Sequence, residues 1–161
     1  MWYRTAKINY EQLVQDRDLV STCIVFRKNN KEIEVLLERR GTSPNKHKWC
    51  IPGGHVEKNE EPSQAAVREI KEETHLTLDI DKLSYIGHHD YENQRDKFNF
   101  IYATIYTGNE KEEADSDAEY IEWINIKKLP VMVWDNFKFI EKAYNKLFKE
   151  KFFLFLSFFT C

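Results

Sequence analysis

The sequence predicts an α/β fold, with strands and helices sharing one core, and three observations lead to it. Residues 19–27 are β-rich and almost continuously apolar, and residues 32–39 alternate around Ile33, Val35 and Leu37 as a hairpin partner would. Residues 62–74 hold mostly good helix formers. Ala66 and Val67 lie four and three positions before Ile70, so the three share one apolar stripe. After further strands, Phe137, Ile140, Ala143, Tyr144, Leu147 and Phe148 repeat that helical spacing. A chain of 161 residues without a linker, repeat or low-complexity block suits one domain over residues 1–161.

Taken in order, Tyr10, Leu13 and Val14 suit one helical turn or a loop before the first strand. Residues 28–31 are a turn between the hairpin strands. Residues 39–48 form a polar loop with four basic side chains, either solvated or facing an anion, and Arg39 is the best placed because it ends a strand. Residues 76–80 read as a short strand or loop exit, 83–88 as a strand and 88–97 as a polar connection. His88 and His89 invite zinc, but strand neighbours point to opposite faces and no Cys or His lies near them in sequence. Residues 98–106 are a central strand, 107–118 an acidic surface loop and 119–126 another strand, before a last helix that Asp135 is placed to cap.

Chemistry concentrates between Trp49 and Leu76. Pro62 suits a first helical position, where no amide donor is needed. Glu69, Glu72 and Glu73 share a helix face at spacings of three and four, and each like-charge pair there costs roughly 0.2–0.5 kcal/mol. A hard divalent cation would reverse that penalty, because Mg²⁺ takes oxygen ligands shared between carboxylates and phosphates. Arg68, next to Glu69 and four residues before Glu72, is placed to orient or neutralise a carboxylate. Gly53 and Gly54 permit a backbone approach closed to other residues, and Glu60 lies near the helix start, where the dipole favours negative charge.

Gly54, then Glu60 after five residues, then Arg68-Glu69-Ile70-Lys71-Glu72-Glu73-Thr74-His75-Leu76 after seven more, resembles the Nudix hydrolase signature at every fixed position but one. The exception is His75, where the family has Gly. That position follows the helix and calls for a left-handed backbone, which costs a non-Gly residue roughly 1–2 kcal/mol. The resemblance is strict over residues 54–76 and looser over 19–144, and it implies an α/β/α sandwich around a mixed β-sheet. It also implies hydrolysis of the pyrophosphate bridge of a nucleoside diphosphate linked to another group. Glu69 and Glu73 would be the principal metal ligands, with Glu72 as ligand or base and a Gly53 or Gly54 carbonyl completing the shell. Arg68 and Glu60 would orient the carboxylates. Glu119, with Asp117 behind it, is the candidate for a further ligand or base ahead of a Trp-containing strand. The resemblance implies Mg²⁺ as the cofactor, with Mn²⁺ as its substitute.

Substrate choice is less determined. Tyr91, Phe98 and Trp49 are candidates to stack on a base, and Arg39 or Arg40 to grip a phosphate; the family places such a Trp as packing, which favours the core for Trp49. Residues 129–136 loosely resemble the end of members acting on ADP-ribose and dinucleotides, which favours those substrates or nucleotide sugars. The alternatives are a triphosphate pyrophosphatase acting on oxidised nucleotides and a non-catalytic nucleotide-binding module. The family's many dimers make a homodimer the assembly to expect.

A net charge of −3 disfavours a general nucleic-acid surface, and capped RNA with it, but not one nucleotide in a pocket. Cys23, Cys50 and Cys161 are an odd set without metal-like spacing; Cys23 and Cys50 suit packing, and a reducing, cytoplasmic setting is expected. The start lacks the apolar core of a signal peptide, and the oily run 152–159 falls far short of the roughly 20 residues of a membrane helix. Packing on the domain or on a partner is the expectation for that run.

Overall fold

A computed structural model describes residues 17–91, 97–115, 118–133 and 135–149. The turn expected near Tyr10, the connection 92–96, Asp117 and the aromatic run from Phe152 lie outside the described residues. In chain order the elements are β1 (Asp18–Asn29), β2 (Glu32–Arg40), β3 (Trp49–Cys50), β4 (Gly53–His55), α1 (Pro62–Thr74), β5 (Ser84–Tyr91), β6 (Lys97–Ile105), β7 (Ala118–Asn125) and α2 (Asn136–Tyr144). Short 3-10 turns occupy Ile80–Lys82 and Ile126–Lys128, and a π turn at Asn145–Lys149 prolongs α2.

β1 organises the sheet. One edge runs parallel to β6, from Asp18 opposite Lys97 to Phe26 opposite Ile105, and β5 pairs antiparallel with the far side of β6. The other edge of β1 forks. Phe26–Asn29 pairs with β2, whereas Val20, Ser21 and Thr22 pair with His55, Gly54 and Gly53 of β4. β2 then carries β3 and β7, both antiparallel, so the sheet is mixed.

Alternation along β1 sends its side chains to two cores. Cys23 and Val25 meet Ala66 and Ile70 of α1, with Leu76 sealing the end of that helix. Ile24 and Phe26 face the other way, onto Ile140 and Ala143 of α2. One helix on each face of the sheet gives the α/β/α sandwich that the family resemblance implied. Each cluster excludes water from several fully buried side chains, and a buried aliphatic or aromatic side chain contributes about 1.5–3 kcal/mol.

Several local expectations are corrected. The loop before α1 contains two short strands, β3 and β4, too brief to leave a pattern. Residues 88–91 belong to β5 rather than to a connection, and of the two alternatives for residues 76–80 the loop exit forms. Asp135 precedes α2 but does not cap it: its backbone is left-handed and its carboxylate pairs with Lys138 Nζ at 3.0 Å. Phe137 points outward, 55% exposed, while the rest of the expected α2 stripe packs inward. Cys23 and Cys50 are buried free thiols, and burial pushes Cys23 up to about 12. Trp49 packs partly buried on the α2-side core, edge-on to Tyr120 at 6.2 Å. Among the described residues no helix is long and apolar enough to cross a membrane.

Gly53 has φ +151, and a Cβ there would collide with the Ser21 carbonyl and the Thr22 backbone. Gly53→Ala should therefore destabilise the fold by about 3 kcal/mol, the sum of backbone strain and overpacking. The shift of the urea midpoint measures it; a loss under about 1 kcal/mol would show that β4 does not need this close approach.

Candidate active site

The position of α1 is set at its first turn. Gln64 Oε1 accepts the Glu61 N–H at 2.9 Å, Pro62 needs no donor partner, and Ser21 Oγ donates to the Pro62 carbonyl at 2.6 Å. This ties the helix start to β1. Glu61, rather than Glu60, occupies the cap position, and Glu60 turns instead to Arg68.

Arg68 is the hub of the acidic face. Its Nε and Nη2 grip the two Glu60 oxygens at 2.9 and 3.0 Å. Nη1 donates to Glu69 Oε1 at 2.8 Å and to Glu72 Oε2 at 3.0 Å, and Nη2 also reaches the His55 carbonyl at 2.8 Å. Bidentate, charge-assisted pairing of this kind is among the stronger polar contacts in proteins. The glutamates respond differently. Hydrogen bonding to Arg68 holds Glu60 below the usual carboxylate range. Glu69 lies above it, because burial outweighs the contact with Arg68 and the Glu72 charge adds to the lift.

Glu69 and Glu73 face a cleft of about 410 Å³ beside β4. Glu73 is buried at 5% exposure, and its Oε2 accepts the Gly53 N–H at 2.9 Å. A Cβ on Gly54 would fall onto the Glu69 carboxylate, so backbone and carboxylate lie in direct contact. Two converging carboxylates, one of them raised by burial, against a glycine backbone form a donor set that fits a hard divalent cation. Glu72 shares Arg68 with Glu69 but stands at the rim, 52% exposed, and does not line the cleft.

The other expected site residues divide. Arg40 and Tyr91 line the cleft, and burial raises the Tyr91 phenol. Arg39 does not: its Nε donates to the His47 carbonyl at 3.0 Å. The two are strand neighbours and so point to opposite faces, and the pairing with β7 shifts register between them. Phe98 is 4% exposed, stacked on His88 at 4.8 Å, and points away from the cleft, so no base can reach it. Glu119 is also outside. Its carboxylate binds His47 Nδ1 at 2.6 Å on the exposed side of β7 and does not line the cleft. Polar lining residues that were missed include His55, Glu57, Lys97, Asn99 and Asn136. Asn99 was detectable as one polar residue within an apolar strand; its side chain accepts from Thr22 Oγ1 at 3.4 Å. Asn136 Oδ1 accepts the Ile51 N–H at 2.8 Å, which fixes the loop ahead of β4.

His75 takes the left-handed conformation expected of it, φ 62, and its N–H caps α1 by donating to the Lys71 carbonyl at 3.0 Å. Its side chain also meets Asp115 at 3.0 Å, and the N–H groups of Glu113 and Asp115 donate to the last carbonyls of α1, at Thr74 and Glu73.

Two outcomes follow from these contacts. Because both remove the same side-chain contact with Asp115, His75→Gly should be more stable than His75→Ala by about 1 kcal/mol, the relief of a left-handed non-Gly residue. Equal urea midpoints would show no strain at this cap. Glu60, with its folded-state pKa lowered, contributes stability that is present above the usual glutamate value and lost as pH falls through the lower folded value. Glu60→Gln should therefore cost about 1.5–3 kcal/mol at pH 7, as for loss of hydrogen bonds to a charged group, and the gap to the parent should close as pH falls through the lowered folded-state value. A gap independent of pH would refute the ion-pair origin.

Comparison with known proteins supplies the family. A model of the NUDIX domain matches residues 17–144. The chain is 33% identical over 123 residues to a Caenorhabditis elegans protein named nudix hydrolase 1, covering 76% of this chain and 33% of that one. It is 31% identical over 118 residues to an ADP-ribose pyrophosphatase of Methanocaldococcus jannaschii, covering 73% and 68%. It is 32% identical over 111 residues to diphosphoinositol polyphosphate phosphohydrolase 3-alpha of Mus musculus, covering 66% and 63%. The chain thus spans from a third to about two thirds of the length of these relatives. The fold is shared with a MutT/nudix family protein from Enterococcus faecalis at TM-score 0.75 and 18% identity, covering 91% of this chain and 71% of that one. With the family match spanning most of the chain and the signature helix packed beside the Gly53-Gly54 strand, the chain belongs to the NUDIX family.

Proposed function

We propose that the chain is a Mg²⁺-dependent pyrophosphohydrolase that cleaves a nucleoside diphosphate linked to another group, such as ADP-ribose, a nucleotide sugar or a dinucleotide. The observation that carries this reading is the convergence of Glu69 and Glu73 on one cleft, directly against Gly53 and Gly54. Glu69 and Glu73 would hold the cation, with the Gly54 carbonyl and Glu72 contributing at the rim, and Mn²⁺ would substitute. A divalent cation in such a site neutralises phosphoryl charge and lowers the pKa of bound water. Water attacks one phosphorus of the bridge, its proton passing to a carboxylate of the site. The bond to the bridging oxygen breaks, leaving a nucleoside monophosphate and the phosphorylated remainder. Arg68 and Glu60 keep the carboxylates in place without touching substrate. Buried Cys23 and Cys50 suit a reducing compartment such as the cytoplasm.

The cleft lining favours this substrate class. Arg40, His55, Arg68 and Lys97 are its basic members among the described residues, and Arg68 is committed to three glutamates. That is modest for a polyphosphorylated ring, whose many phosphates call for a cluster of cations. It suits a bridge of two phosphates with Tyr91 beside a base or sugar. The diphosphoinositol relative nonetheless makes that class the second reading to test.

The test is product analysis by chromatography after incubation with Mg²⁺ and, separately, ADP-ribose, a dinucleotide, 8-oxo-dGTP and a diphosphoinositol polyphosphate. AMP with ribose 5-phosphate from ADP-ribose is expected. Turnover of the diphosphoinositol substrate alone would transfer the assignment to the second reading, and pyrophosphate from the triphosphate alone would make it a triphosphate pyrophosphatase. Binding of ADP-ribose without cleavage of any substrate would indicate a binding module. Glu73→Gln should lower turnover at least ~100-fold with the fold retained, as for loss of a main electrostatic contributor; near-normal turnover would remove Glu73 from the site.

A further inference from the structure

We propose that Glu119 is a positioning residue that latches the β2–β3 loop, and that through this loop it sets substrate affinity rather than metal binding. The loop leaves β2 at Arg40 and returns at Trp49. Its neck is closed by two backbone bonds, from His47 N–H to the Arg40 carbonyl at 2.7 Å and from Arg40 N–H to the Lys48 carbonyl at 3.0 Å. Asn45 and His47 both hold left-handed backbones, φ 65 and 66. Such residues persist where surrounding contacts over-determine them.

Those contacts come from outside the loop. Glu119 Oε2 meets His47 Nδ1 at 2.6 Å, Arg39 Nε donates to the His47 carbonyl at 3.0 Å, and Arg39 lies 3.9 Å from the same Glu119 oxygen. His47 is thereby held from its ring and from its carbonyl at once. Isolated exposed ion pairs contribute little, but here two mutually paired side chains, Glu119 and Arg39, converge on one strained residue. What the latch positions is a wall of the cleft. Arg40 Nε donates to the Pro44 carbonyl at 3.0 Å, and Arg40 and Pro44 both line the cleft that Glu69 and Glu73 face. The link to affinity rests on the reading of that cleft as the nucleotide site; the latch itself does not.

The experiment uses the full chain with Glu119→Ala, Glu119→Gln and His47→Ala, and three readouts: steady-state kinetics on ADP-ribose, Mn²⁺ affinity by titration calorimetry, and the rate of trypsin cleavage after Lys46 and Lys48. Glu119→Ala and His47→Ala should raise KM about tenfold, the size of one charge-assisted hydrogen bond, and leave kcat within about twofold. Mn²⁺ affinity should not change, and cleavage in the loop should accelerate at least fivefold. Glu119→Gln keeps an acceptor for the imidazole N–H and should restore part of both effects. A lowered kcat with weakened Mn²⁺ binding and unchanged proteolysis would overturn the proposal and make Glu119 a metal ligand. Unchanged cleavage with unchanged KM would overturn it as well. If ADP-ribose is not hydrolysed at all, the proposed activity fails, and the proteolysis rates still decide whether Glu119 holds the loop.

Discussion

One guanidinium makes the acidic face of α1 workable. Glu60, Glu69 and Glu72 all lie within hydrogen-bond distance of Arg68, and without it their charges would repel across a single turn of helix and the loop before it. Arg68 does not level them. It saturates Glu60 and draws that carboxylate below its ordinary range, whereas Glu69, more deeply buried and given only one contact, stays above it. The result is an electrostatic asymmetry. The outer carboxylate is satisfied by protein, and the inner one still favours added positive charge where the cleft opens.

The second constraint is how near the backbone comes. β4 pairs with the fork in β1 through Gly53 and Gly54, and neither position has space for a side chain. Glu73 is held at both ends by that arrangement and its neighbour: its carboxylate accepts from Gly53, and its carbonyl accepts from Asp115. A helix residue fixed in this way has little freedom to drift. This matters where a misplacement of about 1 Å is costly to catalysis. The same Asp115 also meets His75, so the side chain that departs from the family's Gly takes part in fastening the acidic loop to the end of α1.

Exposed polar groups elsewhere serve geometry more than chemistry. Glu119, Arg39 and His47 hold a loop, and Lys71 is bound to the His75 carbonyl and Thr77 at the end of α1. Individually such contacts are weak in water. They acquire weight where they restrain residues already forced into left-handed conformations, as at His47 and His75.

Local features could be read from residue spacing alone. The extent of α1, its Pro at the first position, the shared face of Glu69, Glu72 and Glu73, and the left-handed residue after the helix follow from spacings of three and four and from where a helix must stop. The burial of β1 was legible in its nearly continuous apolar run, while the helix layer on each face came from the family resemblance. Which distant residues meet depends on how the elements pack and pair. Whether Arg39 or Arg40, or Phe98 or Asn99, faces the cleft depends on strand register, because strand neighbours point to opposite sides and one bulge exchanges them. Glu119 shows the same limit: an acidic residue ahead of a Trp-containing strand has the composition of a ligand, and only the pairing of β7 with β2 sets it beside His47 instead.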